Sequence, residues 1–171
     1  MGNLYGIELM SCLSDTSESQ GHREITQIDL TGRYQFGDLP VETLDDHFKD
    51  GRWASPILER LIPRIYRELT WVSGNQDHDH IDVDGNLYDL KCFTKNGLKF
   101  MPSSQIGTKR SFDKEVAHGK ANNLTYICCD ITQFPIVTVK FAKGCDLIVK
   151  YPNCAIPFKD RTVFFTDNVT M

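Results

Sequence analysis

Apolar side chains recur at helical spacing over residues 55–69, SPILERLIPRIYREL. The spacing places one face of a helix toward a core. Ser55 is predicted to be the N-cap and Pro56 the first helical residue, as is common at helix starts. Pro63 predicts a kink or a local break, because it removes a backbone donor from the helix interior. This segment is the clearest helix signal in the chain.

After this helix the apolar runs shorten to strand length. Runs at 69–73, 80–83, 87–93 and 98–101 alternate with glycine-containing turns, which predicts strands joined by tight hairpins. Residues 109–119 are predicted to be helical. Residues 124–131, 136–142 and 145–151 are predicted strands, and the short run TVFF follows at 162–165. We therefore predict an α/β domain with a mixed central β-sheet flanked by helices.

Composition supports one globular domain. The chain has 171 residues, of which 40% are hydrophobic and 25% charged, so we predict a single domain over 1–171, with 1–50 as a candidate dimerisation arm. Residues 14–22, SDTSESQGH, are predicted to be a mobile polar loop. No apolar run reaches the roughly 18 residues of a membrane span, and the first residues lack the positive region of a signal peptide. These features predict a soluble cytoplasmic protein without a membrane partner.

The cysteines argue against zinc ribbons and redox motifs. There are six of them, and none forms a CxxC pair. Cys128 and Cys129 lie in a strand-like apolar run, where a thiol behaves as a small hydrophobic side chain. We predict reduced, structural cysteines, as expected in a reducing cytoplasm.

Charge is divided unevenly along the chain. The net charge is −4, but residues 1–90 hold 7 basic and 17 acidic side chains, whereas residues 91–171 hold 12 and 6. The second half is therefore a candidate surface for a polyanion. The alternative is that the asymmetry reflects ordinary solvated surface.

Residues 79–91, DHIDVDGNLYDLK, concentrate aspartates around one lysine. On a strand, Asp89 and Lys91 share one face while Leu90 turns into the sheet. The position of Asp79 depends on the hairpin register. A two-residue turn at Asp84-Gly85 would set Asp79 opposite Leu90, whereas a three-residue loop at 83–85 would set it opposite Asp89. Glycine in the left-handed conformation favours the second register, in which two facing carboxylates would require a hard divalent cation such as Mg²⁺.

Three other interpretations of this stretch are open. A calcium loop of the EF-hand type would need Asp at His80 and Glu at Lys91, so both of its ends fail. A zinc site at His78 and His80 lacks a nearby cysteine pair, and we predict exposed histidines at these positions. The third interpretation is an exposed acidic hairpin with an ordinary Lys91.

The order Asp, about ten residues, then an acid, an apolar residue and Lys resembles the active-site motif of the PD-(D/E)XK nuclease superfamily, which includes many type II restriction endonucleases. The matching positions are Asp79, Asp89, Leu90 and Lys91. The resemblance covers 13 of 171 residues, and the proline that often precedes the first aspartate is absent. The predicted order of helix, acidic hairpin, catalytic strand, helix and further strand also fits the family core.

The resemblance implies that Asp79 and Asp89 hold Mg²⁺ with the carbonyl of Leu90, and that Lys91 positions and activates the attacking water. Mn²⁺ is expected to substitute for Mg²⁺, and Ca²⁺ to bind without turnover. Glu59 or Glu68 on the preceding helix is a candidate for an additional metal carboxylate. Asp82 is expected to be a turn residue beside the site.

The resemblance also implies a type II restriction endonuclease. Such an enzyme hydrolyses double-stranded DNA at specific sequences in the cytoplasm of a prokaryotic cell. A homodimer is expected, because one active site cuts one strand and two symmetric copies cut a palindrome. The alternatives are a DNA repair or junction-resolving nuclease with the same motif, and a non-catalytic nucleic-acid-binding module.

Residues 95–120 form the candidate DNA-reading segment, because basic side chains attract phosphates while Gln and Arg can bond base edges. The alternative is an ordinary basic helix beside the sheet. The candidate DNA contacts are Ser103, Ser104, Gln105, Lys109, Arg110 and Lys114.

Overall fold

The computed structural model describes residues 25–74 and 77–166. They form five helices and eight strands, together with short 3₁₀ turns at Ser103–Gln105 and Phe158–Asp160. The helices are α1 (Val41–Phe48), α2 (Gly51–Ile65), α3 (Lys114–Asn122), α4 (Gly144–Lys150) and α5 (Arg161–Thr166). The strands are β1 (Thr26–Asp29), β2 (Leu69–Trp71), β3 (His80–Asp82), β4 (Leu87–Phe93), β5 (Leu98–Lys99), β6 (Thr125–Asp130), β7 (Ile136–Lys143) and β8 (Ala155–Ile156).

Six strands form one mixed sheet in the order β1-β7-β6-β4-β3-β2. β2, β3 and β4 are an antiparallel meander, whereas β4 and β6 are parallel and α3 connects them. β7 and β1 continue the sheet antiparallel, and β5 pairs with β8 in a separate two-stranded sheet. The parallel pair needs the α3 crossover, since a hairpin cannot join parallel strands.

The sheet separates two hydrophobic cores. On one face, Leu58 and Ile62 of α2 pack with Leu90 of β4. On the other face, Ala117 and Ala121 of α3 join the core that contains Phe93. Residues on this second face also come from α4 and α5. The predicted α/β class with a mixed, helix-flanked central sheet is confirmed.

The boundaries of α2 differ from the prediction. The helix begins at Gly51, and Asp50 is its N-cap, because the Asp50 carboxylate accepts a hydrogen bond from the backbone N–H of Arg52 at 2.9 Å. Ser55 is therefore inside the helix rather than its N-cap. The helix also continues unbroken through Pro63 to Ile65. Asp50 and Ser55 are both residue types that cap helices, and the structure uses Asp50.

Two predicted strands near the C-terminus are helices. Residues 145–151 lie largely in α4, where burial of Gly144 and Leu147 follows a helical repeat and continues to Tyr151. Of the two β-branched residues that suggested a strand, Val149 is exposed and Ile148 is only partly buried against the core. The TVFF run lies in α5. The predicted helix at 109–119 begins later, at Lys114, after an N-cap at Asp113.

Five cysteines, at 92, 128, 129, 145 and 154, are free thiols, as predicted for the part of the chain that the structure describes. The polar segment 14–22 and residues 1–24 of the candidate arm 1–50 lie outside the described residues. None of the described helices is both long enough and apolar enough to cross a bilayer.

Candidate active site

The acidic hairpin adopts the three-residue register. His80 pairs with Tyr88, and the backbone N–H of Asp82 donates to the carbonyl of Asn86 at 3.1 Å. Gly85 has a φ of +84°, the left-handed conformation that this loop needs. The three-residue loop register is therefore confirmed, with a ladder that extends to the pair His80 and Tyr88.

Asp79 is held beside β4 by two hydrogen bonds, one from its backbone and one to its side chain. Its backbone N–H donates to the carbonyl of Tyr88 at 2.8 Å, and its Oδ2 accepts from the backbone N–H of Leu90 at 2.7 Å. The Asp79 carboxylate thus takes the place of a backbone acceptor for Leu90, just before β3 begins at His80. This arrangement brings the Asp79 carboxylate to the side chain of Asp89.

Asp89 and Lys91 share one face of β4, as predicted. Lys91 Nζ lies 2.8 Å from Asp89 Oδ2, while Leu90 is buried on the α2 side of the sheet. Asp89 is only 4% exposed. Burial raises the pKa of the Asp89 carboxyl above its usual value, the Lys91 ammonium opposes that rise, and contact with Asp79 adds to it. The site combines the buried carboxylate of Asp89, the half-buried carboxylate of Asp79 and an adjacent cation.

A second lysine, Lys120, approaches the same carboxylate from α3. Its Nζ lies 4.0 Å from Asp89 Oδ2 and 3.9 Å from Asp77 Oδ1. Sequence motifs did not assign Lys120 to the site, because it is distant along the chain and becomes a neighbour only through the crossover between β4 and β6. One feature of the sequence does point to Lys120: it lies in the last turn of α3, the helix that must pack beside β4 and β6.

His80 is fully buried, so the prediction of an exposed histidine there is wrong. Its Nε2 lies 2.7 Å from the backbone carbonyl of Glu59. In a regular helix that carbonyl would accept from residue 63, but Pro63 has no N–H to donate. Burial is the main cause that lowers the pKa of His80, which keeps the ring neutral, and Nε2 must carry the proton because a carbonyl only accepts.

The additional carboxylates occupy other places. Glu59 Oε1 accepts from the hydroxyl of Ser55 at 2.9 Å and approaches Cys92 on the α2 side of the sheet, opposite the Asp89 face. Glu68 is exposed in the turn between α2 and β2. The metal-ligand role considered for Glu59 is therefore not supported by its position.

Asp82 is a turn residue. Its two carboxylate oxygens accept bonds from the backbone of Asp84 and Asn86, from the Asn86 amide and from the Tyr88 hydroxyl, at 2.8 to 3.0 Å. Slight burial raises its pKa, but these donors outweigh burial and the net pKa lies below the usual value. With both oxygens engaged, Asp82 stabilises the hairpin that presents Asp79.

Five of the six predicted DNA contacts fall in the loop before α3, and the sixth, Lys114, is the first residue of α3. Ser103 and Ser104 are exposed in a 3₁₀ turn. One guanidinium nitrogen of Arg110 donates to the carbonyls of Ser103 and Ile106, at 2.6 and 2.9 Å. Gln105 Oε1 accepts from the backbone N–H of Asp113 at 3.0 Å. Lys109 and Lys114 are exposed. The loop leads into α3, whose last turn holds Lys120 beside Asp89.

The carboxylates of Asp79 and Asp89 fit a hard cation that takes its remaining ligands from water and substrate. Within 25–74 and 77–166, no cluster of three or more His, Cys, Asp and Glu side chains is arranged around a metal position. Asp89 Oδ2 is buried and has no hydrogen-bond donor of good geometry among these residues, although Lys91 is ion-paired to it. Mg²⁺ commonly uses one or two carboxylates and takes its other ligands from water and substrate phosphates. The pair Asp79 and Asp89 fits that pattern.

Comparison with known proteins identified no relative of this chain. No protein-family description, curated protein or solved structure matches this chain.

The contact between His80 and Glu59 predicts an energetic coupling with Pro63. His80→Leu should lower the free energy of unfolding by about 1 to 3 kcal/mol, because it leaves the part-buried Glu59 carbonyl without a donor. Pro63→Ala should stabilise the His80→Leu variant more than it stabilises the wild type, since residue 63 then supplies the missing N–H. Urea unfolding of the four proteins in a double-mutant cycle measures this coupling.

His118→Leu is the matched control for that cycle. His118 also contacts a backbone carbonyl, that of Pro152 at 2.8 Å, but remote from Pro63 in the fold. Its effect should add to that of Pro63→Ala without coupling. Strict additivity of His80→Leu and Pro63→Ala would contradict the proposed role of His80.

Proposed function

We propose that this protein is a type II restriction endonuclease that hydrolyses double-stranded DNA in a Mg²⁺-dependent reaction. The observation that carries the proposal is the convergence of Asp79, Asp89 and Lys91 at the hairpin of β3 and β4. The order of α2, hairpin, β4, α3 and β6 agrees with the core that the PD-(D/E)XK resemblance implies. We place the enzyme in the cytoplasm of a prokaryotic cell.

Each residue of the site has a distinct task. Asp79 and Asp89, with the carbonyl of Leu90, would hold Mg²⁺. When bound, Mg²⁺ would make water a stronger nucleophile and neutralise charge that develops on the scissile phosphate. Mn²⁺ would supply the same chemistry. Lys91 holds the attacking water and stabilises negative charge with its ammonium, and Asp89 keeps that ammonium in place.

DNA binding is assigned to the loop 103–113 and to Lys114 at the start of α3. Lys109 and Lys114 supply charge for phosphates, whereas Gln105 and Arg110 have the donors that can read base edges. The Arg110 contacts with the loop backbone hold the loop in one shape. Because α3 joins this loop to Lys120, DNA bound at the loop can extend toward Asp89.

A homodimer follows from the proposed reaction. A single site cuts one strand, so a palindromic duplex is cut by two copies related by a two-fold axis. The exposed apolar side chains Phe36, Trp53 and Ile57 lie in the N-terminal part of the described chain and are candidates for the interface. Sedimentation of the full chain with and without cognate DNA measures the assembly.

Digestion of phage DNA of known sequence tests the proposed specificity. Wild-type protein with Mg²⁺ should yield a fixed set of fragments whose ends share one palindromic sequence. Random degradation would contradict a restriction enzyme and favour a less specific nuclease. Cutting confined to branched or mismatched DNA would favour the junction-resolving or repair alternative.

Salt titrations separate phosphate binding from base recognition. The double variant Lys109→Ala and Lys114→Ala should lower the slope of log affinity against log salt by about one unit for each phosphate that the protein no longer neutralises. Gln105→Ala should relax sequence choice and leave the slope almost unchanged. Fluorescence anisotropy with a labelled cognate duplex in Ca²⁺ measures both effects. An unchanged slope in the double variant would exclude this loop as the phosphate-binding face.

A non-catalytic nucleic-acid-binding module is the second candidate. The ion pair between Lys91 and Asp89 favours it, because the lysine already compensates the buried carboxylate. Such a module would bind DNA with an affinity independent of Mg²⁺ or Ca²⁺ and would leave plasmid DNA intact.

A further inference from the structure

The position of Lys120 on α3 is set by the packing of its neighbours. Ala117 and Ala121 are fully buried and fix the inner side of the helix against the second core. Lys120, next to Ala121, is carried to the edge of that interface, where its side chain is only 20% exposed. Its long aliphatic stem can lie along apolar surface while the ammonium remains at the site. Lys120 is therefore held close to Asp89 by the fold.

The Lys120 ammonium makes no short hydrogen bond to either of its neighbouring carboxylates, Asp77 and Asp89. The distances from Lys120 Nζ to Asp89 and Asp77 are 4.0 and 3.9 Å, both longer than a hydrogen bond. Lys91 is already 2.8 Å from the same oxygen of Asp89. Asp77 is almost fully exposed, and ion pairs of that kind contribute little to stability. A mostly buried cation with three donors thus faces the candidate active site without a short bond to either carboxylate.

We propose that Lys120 is a second phosphate-binding lysine of the active site, whose ammonium contacts a non-bridging oxygen of the scissile phosphodiester. This inference rests on the proposed nuclease function and adds a residue that the PD-(D/E)XK motif does not contain. Lys91 belongs to β4 and Lys120 to α3, so the phosphate is held between the sheet and the crossover helix. An ammonium is suited to this contact as a compact, strongly charged donor.

The contact acts most strongly as the reaction proceeds. In hydrolysis, the water oxygen forms a bond to phosphorus, the opposite P–O ester bond breaks, one water proton passes to solvent, and the leaving oxygen takes up a proton. Negative charge on the non-bridging oxygens is stabilised by fixed cations throughout this displacement. Lys120 stays protonated and supplies charge, not a proton. Its removal should therefore slow the chemical step more than it weakens DNA binding.

Single-turnover cleavage tests the proposal. The probe is a short duplex that contains the site mapped by phage digestion, with protein in saturating excess and Mg²⁺ present. Lys120→Ala should cleave about 100-fold more slowly than wild type, the range observed when one preorganised donor is removed. Its affinity for the same duplex in Ca²⁺ should fall less than 10-fold. Lys120→Arg, which keeps the charge, should recover most of the rate.

Two variants serve as controls. Lys159→Ala removes an exposed lysine in a 3₁₀ turn and should cleave like wild type, which excludes a general effect of net charge. Asp77→Asn removes the exposed partner of Lys120 and should change the rate less than about twofold. Thermal unfolding of each variant checks that the fold is retained, and Lys120→Gln keeps most of the stem if the alanine variant unfolds.

The outcomes separate the two proposals. If wild type cleaves and Lys120→Ala or Lys120→Gln cleaves within threefold of it, the role of Lys120 is overturned and the nuclease function stands. Equal losses of rate in the Ala and Arg variants, accompanied by lower melting temperatures, would make Lys120 structural and also overturn it. If wild type does not cleave any DNA in Mg²⁺, the proposed function itself fails.

Discussion

Replacement of Asp89 by Asn should reduce Mg²⁺-dependent cleavage by about 1,000-fold or more and leave DNA binding in the absence of a divalent metal largely intact. The amide has nearly the shape of the carboxylate but not its charge, so it cannot hold the cation. A catalytic metal contributes several kcal/mol to transition-state stabilisation, and each 1.36 kcal/mol corresponds to a factor of ten in rate. The measurement is the initial rate of nicking and linearisation of supercoiled plasmid.

The hairpin offers a matched control for this substitution. Asp84→Asn makes the same chemical change at the exposed tip of the loop and should cleave at the wild-type rate. Asp89→Asn removes the charge that compensates Lys91, so circular dichroism and a melting curve are needed to show that the fold persists. A folded Asp89→Asn protein that cleaves like wild type would refute the assignment of the metal site.

Exchange of Mg²⁺ for Ca²⁺ should abolish cleavage and preserve tight, specific DNA binding. Ca²⁺ accepts carboxylate and phosphate oxygens, but it is the larger ion and binds them in a looser geometry. Binding of a cognate duplex should therefore increase on addition of Ca²⁺ and decrease with EDTA. Fluorescence anisotropy and a gel assay on the same samples measure affinity and cutting together.

The Asp79→Ala variant is the control for the effect of Ca²⁺. It removes one of the two proposed metal carboxylates, so its DNA affinity should respond to Ca²⁺ far less than that of wild type. Metal-independent affinity in the wild-type protein would favour the non-catalytic binding module. Cleavage at the Mg²⁺ rate in Ca²⁺ would contradict the proposed metal chemistry.

The arrangement of Asp79, Asp89 and Lys91 could be predicted from the sequence because all three lie in one short hairpin. The two-residue strand repeat fixed Asp89 and Lys91 on one face, and Gly85 selected the loop that brings Asp79 to Asp89. These inferences need only strand geometry and turn chemistry, which operate over a few residues. The bounds of β4 were predicted fully for the same reason.

Long-range features escaped the sequence analysis. The burial of His80 depends on a carbonyl of α2 that Pro63 leaves free, a contact across 21 positions. Lys120 reaches Asp89 only after α3 has crossed between two parallel strands. Strand propensity also failed for α4, which was predicted to be a strand. Its β-branched Val149 is exposed, and Leu147 packs at helical spacing.

The most direct test of the central claim is cleavage of supercoiled plasmid by wild type and Lys91→Ala, purified identically, with Mg²⁺ or EDTA. The account predicts linear DNA only for wild type with Mg²⁺, together with equal binding of both proteins to the plasmid in Ca²⁺. Removal of the Lys91 side chain leaves both proposed metal carboxylates, Asp79 and Asp89, in place. Equal Mg²⁺-dependent cleavage by the two proteins, or intact plasmid in every reaction, would contradict the account.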